Sequence, residues 1–215
     1  SITKLMTAMV ILDSGLNLKE KITVTKEDRD LVQLTGSRLE YGASLSRREM
    51  VLLAIMSSEN RAATALGRNF PGGMTAFMKE MNRIATQLGM NNSHFADPAG
   101  LNVENTSTAR DLMKMVTAAE GYALIREAST TTRIEVRPYA KRGPLVYGNT
   151  NRLLKNKTWD IALSKTGYIN ESGRCLVMQA NIEGELVSIV LLNSFGKLTP
   201  FGDSNRLRQW MLASS

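Results

Sequence analysis

Apolar residues open the chain at helical spacing. Ile2, Leu5, Met6, Met9 and Val10 fall on one face of a helix over residues 2–12, which Asp13-Ser14-Gly15 ends with Gly15 as C-cap. Residues 21–25 (KITVT) alternate as a short strand, and residues 26–44 are polar and read as loop. Ser46–Ser57 begins with a capping box, Ser46 with Glu49, and then turns apolar on most sides, which predicts a buried helix. Helices are expected over Arg61–Phe70, stopped by Pro71-Gly72-Gly73, over Met74–Leu88, and over Ser107–Glu120 with Ser107 or Thr108 as cap. Residues 91–105 are irregular, and residues 130–137 suggest a strand. Two β-like runs, Arg174–Ile182 and Leu186–Asn193, are joined by Glu183-Gly184-Glu185 as a hairpin. The tail, Asp203–Leu212, reads as a helix with Leu207, Trp210 and Met211 on its apolar side. A helical middle followed by strands and a last helix, with no βαβ alternation and no repeat, points to an α+β fold with an antiparallel sheet.

Composition narrows the classes. The 215 residues suffice for one compact unit or two lobes sharing a core, and 43% hydrophobic with 22% charged residues is ordinary for a globular chain. No apolar run reaches the ~18 residues needed to cross a bilayer; the closest candidate, MVILDSGL, is interrupted by Asp13 and Gly15, so no transmembrane segment is expected. The formal charge is +7, but the basic pairs Arg47-Arg48 and Lys141-Arg142 are short, scattered and free of interleaved aromatics. That describes a solvated basic surface and argues against nucleic acid as a partner. One cysteine, Cys175, and one histidine, His94, make neither an internal disulfide nor a zinc site, and no G-x-S-x-G elbow accompanies His94. His94 lies in a turn-rich stretch and reads as structural. No cofactor and no metal is expected.

Three short patterns carry the chemistry: Ser1-x-x-Lys4, Ser58-x-Asn60 and Lys165-Thr166-Gly167. Alone, Ser1 would be a helix cap, Lys4 a solvated charge, Ser58 and Asn60 a cap before Arg61, and the third pattern an ordinary strand end. A second S-x-x-K, Ser194 to Lys197, closes an apolar strand and is interrupted by Gly196, so it is discounted. Together and in this order the three make a mechanism. A serine hydroxyl needs a base to become a nucleophile. Positions 1 and 4 share a helix face, so Lys4 can be that base for Ser1 if burial and a second cation, Lys165, lower its pKa. Ser58 and Asn60 would hold Lys4, and Ser58 could pass a proton to a leaving amine. Lys165 and Thr166 suit a substrate carboxylate, and Gly167 lets a strand approach the substrate closely.

Through SITK, SEN and KTG the chain resembles the penicillin-binding and serine β-lactamase-like superfamily, which carries S-x-x-K, S-D-N and K-T-G. SITKLMTAMVILD, LLAIMSSENRAA, GMNNSHFADPAGL and SKTGYINESGRCLVM are similar to the low-molecular-mass D-Ala-D-Ala peptidases. Most specifically they resemble D-alanyl-D-alanine endopeptidases of the penicillin-binding protein 7 type. The resemblance implies one catalytic domain over residues 1–215, with a helical lobe at roughly 26–130, a sheet lobe at roughly 1–25 and 131–215, and the active site between them. It implies Ser1 attacking a D-alanine carbonyl of peptidoglycan, an acyl-enzyme, and an oxyanion hole from the backbone N–H groups of Ser1 and Tyr168. It further implies β-lactams as covalent inhibitors and a periplasmic location. Ser58-Glu59-Asn60 in place of S-D-N, with no E-x-x-L-N element, fits the peptidases better than class A β-lactamases. The 48 residues after Gly167 leave no visible anchor, which favours endopeptidase over carboxypeptidase. A carboxypeptidase and a non-catalytic binder of peptidoglycan stay open as alternatives. Relatives of this kind carry strands before the S-x-x-K helix, so the natural protein is expected to be longer than this chain.

Overall fold

The opening apolar run becomes α1, Lys4–Asp13, in the computed structural model, which describes residues 1–215. The expected single apolar face is only part of it. Lys4, Thr7, Ala8 and Ile11 are buried as well, because the four helices that follow it in the chain surround it. Thr7 tolerates burial by donating its hydroxyl to the Pro98 carbonyl at 2.6 Å.

Strand β1, Lys21–Thr23, pairs antiparallel with β2, Ser44–Ser46, as a small two-stranded sheet of its own. Helix α2, Arg47–Met56, has the expected capping box, with Ser46 and Glu49 satisfying each other's backbone N–H. Helix α3, Asn60–Arg68, is capped by Glu59, whose side chain accepts from the Arg61 N–H. Helix α4 is Gly73–Gln87, and α5 is Ala109–Glu120, capped by Thr108.

Helix α6, Ala123–Thr130, was not expected, and it displaces the start of the strand predicted over 130–137. Strand β3, Arg133–Val136, begins three residues later and pairs with β4, Leu145–Gly148, in a second small sheet. The largest sheet is antiparallel with order β5-β6-β7: Asp160–Ile169, Gly173–Ile182 and Glu185–Ser194. Glu183 and Gly184, both at positive φ, make the turn between the last two. Helix α7, Thr199–Ala213, starts four residues earlier than its apolar pattern suggested, with Pro200 in its first turn.

The order of layers explains the sequence of β6. Cys175 and Val177 join the main core of helices α1 to α6, while Leu176, Met178 and Ala180 face a second cluster that α7 closes with Phe201, Met211 and Leu212. A strand covered on both faces reads as a continuous apolar run, as RCLVMQA does. Strand β5 is an edge of this sheet, and its free side faces the start of α1 and the loop at Ser58.

Candidate active site

The site is assembled where α1 begins. Lys4 is fully buried, and its Nζ lies 2.7 Å from Ser1 Oγ, 2.7 Å from Asn60 Oδ1, 3.0 Å from the Ala99 carbonyl and 3.3 Å from Ser58 Oγ. Asn60 Oδ1 and Ala99 O can only accept. A neutral lysine spends its two N–H bonds on them and keeps its lone pair for a serine hydroxyl. Lys165 on β5 is also buried and donates to Ser58 Oγ at 2.8 Å and to the Thr166 carbonyl at 2.7 Å. Ser58 therefore stands between the two lysines, at the turn from α2 to α3.

Electrostatics separates the pair. Burial pushes Lys4 down to about 7, against the carboxylates of Asp97, Glu59 and Asp30, which pull the other way. Lys165 is also held well below its ordinary value, by burial first and then by Lys4. Burial is thus the first cause of the fall at both lysines, as expected for Lys4, and the two amines, sharing Ser58, disfavour each other's charge.

Several supports act on these groups. Ser58 has φ +56, a left-handed conformation unusual for serine, stabilised by Glu59 N–H donating back to Leu53 and by Thr150 N–H donating to Met56. Asn60 donates to Thr35 Oγ1 at 3.0 Å, and Thr35 in turn donates to Asp30, which also gathers the N–H groups of Val32, Gln33 and Thr35. Burial of Asp30 opposes its ionisation, but these hydrogen bonds outweigh it and lower its pKa. Asp97 receives the N–H groups of Ala99, Leu101 and Asn102, which fixes the turn that aims the Ala99 carbonyl at Lys4. Gly100 in that turn has φ +77, and a Cβ there would come within 2.8 Å of Ser1 N.

The third pattern forms the wall of the cleft. A Cβ on Gly167 would meet Ile2 N and Ile2 Cγ1 at 3.2 Å, so glycine sets how closely β5 approaches the start of α1. Thr166 donates to Thr150 Oγ1 at 2.6 Å. Tyr168 lines the same cleft, its ring 3.6 Å beneath the guanidinium of Arg174 on β6. The cleft has a volume of about 500 Å³, and Ser1, Ser58, Asn60, Thr166, Gly167 and Tyr168 all border it.

All three patterns thus converge on one place. The sequence reading missed Ala99, Thr35, Asp97 and Thr150. Only Asp97 had a signal, an Asp-Pro-x-Gly turn; a carbonyl ligand such as Ala99 has no side-chain signature. His94 engages Thr106 through backbone bonds of 2.8 and 3.0 Å and makes no bond to Ser1. No three His, Cys, Asp or Glu side chains converge as a metal site, and no helix is long and apolar enough to cross a membrane.

Comparison with known proteins agrees with this geometry. A family model described as D-alanyl-D-alanine carboxypeptidase, peptidase S11, matches residues 1–196. A D-alanyl-D-alanine endopeptidase of Pseudomonas aeruginosa is 48% identical over 211 residues, covering 98% of this chain and 68% of that protein. Its namesake in Escherichia coli K12 is 46% identical with the same coverage. Among solved structures, the Streptomyces K15 DD-transpeptidase superposes with a TM-score of 0.89 at 29% identity, covering 99% of this chain and 87% of that one.

Proposed function

Because the chain belongs to the peptidase S11 family of D-alanyl-D-alanine carboxypeptidases, and so is a serine hydrolase with a DD-peptidase fold, we propose that it cleaves the D-Ala–meso-diaminopimelate cross-link of peptidoglycan. In this reading residues 1–215 act as one catalytic unit, with the lobes at roughly 26–130 and at roughly 1–25 and 131–215 closing on the cleft. Lys4 in its neutral form takes the proton of Ser1 Oγ, and the oxygen attacks the D-Ala carbonyl carbon. The backbone N–H groups of Ser1 and Tyr168 receive the oxyanion, worth ~3–4 kcal/mol per donor in related acyl transfers. Ser58 gives its proton to the leaving nitrogen as the C–N bond breaks, and Lys4 returns one to Ser58. Water then attacks the ester with Lys4 again as base. Lys165 and Thr166 hold a substrate carboxylate. β-Lactams follow the first half of this path and stay on Ser1. The enzyme works in the periplasm.

The carrying observation is Lys4 Nζ at 2.7 Å from Ser1 Oγ with its pKa near 7. The endopeptidase arm is supported by the names of the relatives at 46% and 48% identity. Digestion of purified cross-linked muropeptides tests it: dimers become monomers if the proposal holds. Loss of a terminal D-Ala from pentapeptides with dimers left intact would make it a carboxypeptidase. Failure of a fluorescent penicillin to label Ser1 would remove the enzymatic mechanism altogether.

A further inference from the structure

Asp30 is a buried carboxylate that makes no ion pair. The other two buried aspartates differ: Asp28 pairs with Arg68, and Asp111 lies 4.0 Å from Lys114. Asp30 is held instead by donors from its own loop, between β1 and β2. Its Oδ1 takes the N–H groups of Val32 and Gln33, and its Oδ2 takes both the N–H and the hydroxyl of Thr35. Leu34, left-handed at φ +56, turns the chain so that both Thr35 groups reach one oxygen. The three N–H bonds shape the loop. The hydroxyl bond leads on to the active site.

Each link beyond it has a direction. A carboxylate only accepts, so the proton of Thr35 Oγ1 is committed to Asp30 at 2.7 Å. The Thr35 oxygen is then left to accept, and it takes an N–H from Asn60 Nδ2 at 3.0 Å. That turns the other end of the Asn60 amide, Oδ1, toward Lys4 Nζ at 2.7 Å. The two ends of an amide are alike in size, so partners and not shape choose which one faces Lys4. The choice matters for the base. Facing Oδ1, a neutral Lys4 spends an N–H and keeps its lone pair for the Ser1 hydroxyl, 2.7 Å away. Facing Nδ2, it would give up that lone pair and turn an N–H toward Ser1 instead. We propose that Asp30 and Thr35 are positioning residues that fix the direction of the chain Lys4–Asn60–Thr35–Asp30 and so keep the lone pair of Lys4 for the proton of Ser1. The proposal rests on the reading of Lys4 as the base of Ser1.

The test is the pH profile of the second-order rate of labelling by a fluorescent penicillin. Thr35→Val removes the hydroxyl at nearly constant volume. It leaves in place Asp97, Glu59, Asp30 and Lys165, the charged side chains around Lys4. The Asn60 amide then loses its guide, and the high-pH plateau is expected to fall ~10- to 100-fold. The rising limb should move to lower pH, because an N–H donated to the lone pair favours the neutral amine. Simple loosening of the site gives the opposite shift, since water reaching Lys4 relieves the burial that lowers its pKa. Thr35→Ser restores the hydroxyl and should restore both plateau and limb. Asp30→Asn disturbs the chain from its far end: an amide there can donate to Thr35, whose own proton then turns to Asn60. It should lower the plateau too, whereas a bare loss of negative charge moves the limb alone. Thermal melting identifies a variant that fails to fold, and the variants at 30 and 35 stand in for each other. A folded variant of either kind with an unchanged plateau, or a folded Thr35→Val whose limb stays or moves to higher pH, overturns the proposal. If wild-type protein takes no label, the reading of Ser1 and Lys4 as nucleophile and base falls instead.

Discussion

Lys4 and Lys165 are the same side chain, equally hidden from solvent, and both reach Ser58, yet the protein treats them differently. Lys4 stands on the helical floor and meets acceptors from the chain start, α3 and the Asp97 turn. Three carboxylates partly offset the cost of its burial. Lys165 stands on the sheet wall with one hydroxyl, one carbonyl and no carboxylate acting on it. The floor keeps an amine that can both lose and regain a proton near neutral pH. In the proposed mechanism the wall keeps a cation site that an incoming carboxylate completes. Partner number and nearby acid, not burial alone, distinguish a base from a binding group.

The largest effect should come from Lys4→Met. The second-order rate of labelling by a fluorescent penicillin is expected to fall at least ~10³-fold, because no other side-chain amine hydrogen-bonds Ser1 Oγ. Lys165→Met should cost about 10- to 100-fold, mainly as weaker non-covalent binding before acylation. A loss as deep as that of Lys4→Met would erase the distinction between floor and wall.

A smaller change sharpens it. The labelling rate of wild-type enzyme should climb as pH rises through about 7, where Lys4 loses its proton. Glu59→Gln removes one of the charges that favour the ammonium, so this limb should move to lower pH. A limb that stays in place would show that Glu59 acts only as the cap of α3. A separate effect is on stability. The folded-state pKa of Lys4 is depressed from 10.5 to about 7, so between these values the unfolded chain binds more protons than the folded one. Stability should rise with pH across that window, by up to ~1.4 kcal/mol per pH unit from this lysine, with Lys165 adding in the same direction. Urea unfolding at pH 7 and pH 9.5 should show a shallower rise for Lys4→Met.

The residues that make up the two lysine environments were legible in the sequence to different degrees. Lys4, Ser58, Asn60 and Lys165 announced themselves because each carries its chemistry in a side chain at a fixed spacing. Ala99 did not, since any residue there offers the same carbonyl. Strand β5 was not read as a strand over its length because Ser164, Lys165 and Thr166 interrupt the apolar pattern for the sake of the site. Helix α6 was hidden by its end, Ser129-Thr130-Thr131-Thr132, where hydroxyl and β-branched residues favour strand. There Thr130 and Thr131 donate their hydroxyls to backbone carbonyls one turn back, which local propensity does not count. The long helices were read within a few residues, since burial on a helical period dominates everything else in them.

Ser58 adds a consequence for anyone evolving this enzyme. At φ +56 a serine costs on the order of 1 kcal/mol relative to glycine, and only its hydroxyl justifies the position. Glycine there would relieve that strain but strip the buried Lys165 of one of its two acceptors, a loss of ~1–3 kcal/mol. A library screened for heat resistance should therefore hold serine at 58 as firmly as one screened for turnover. Both selections meet at this position, and stabilising changes should gather elsewhere.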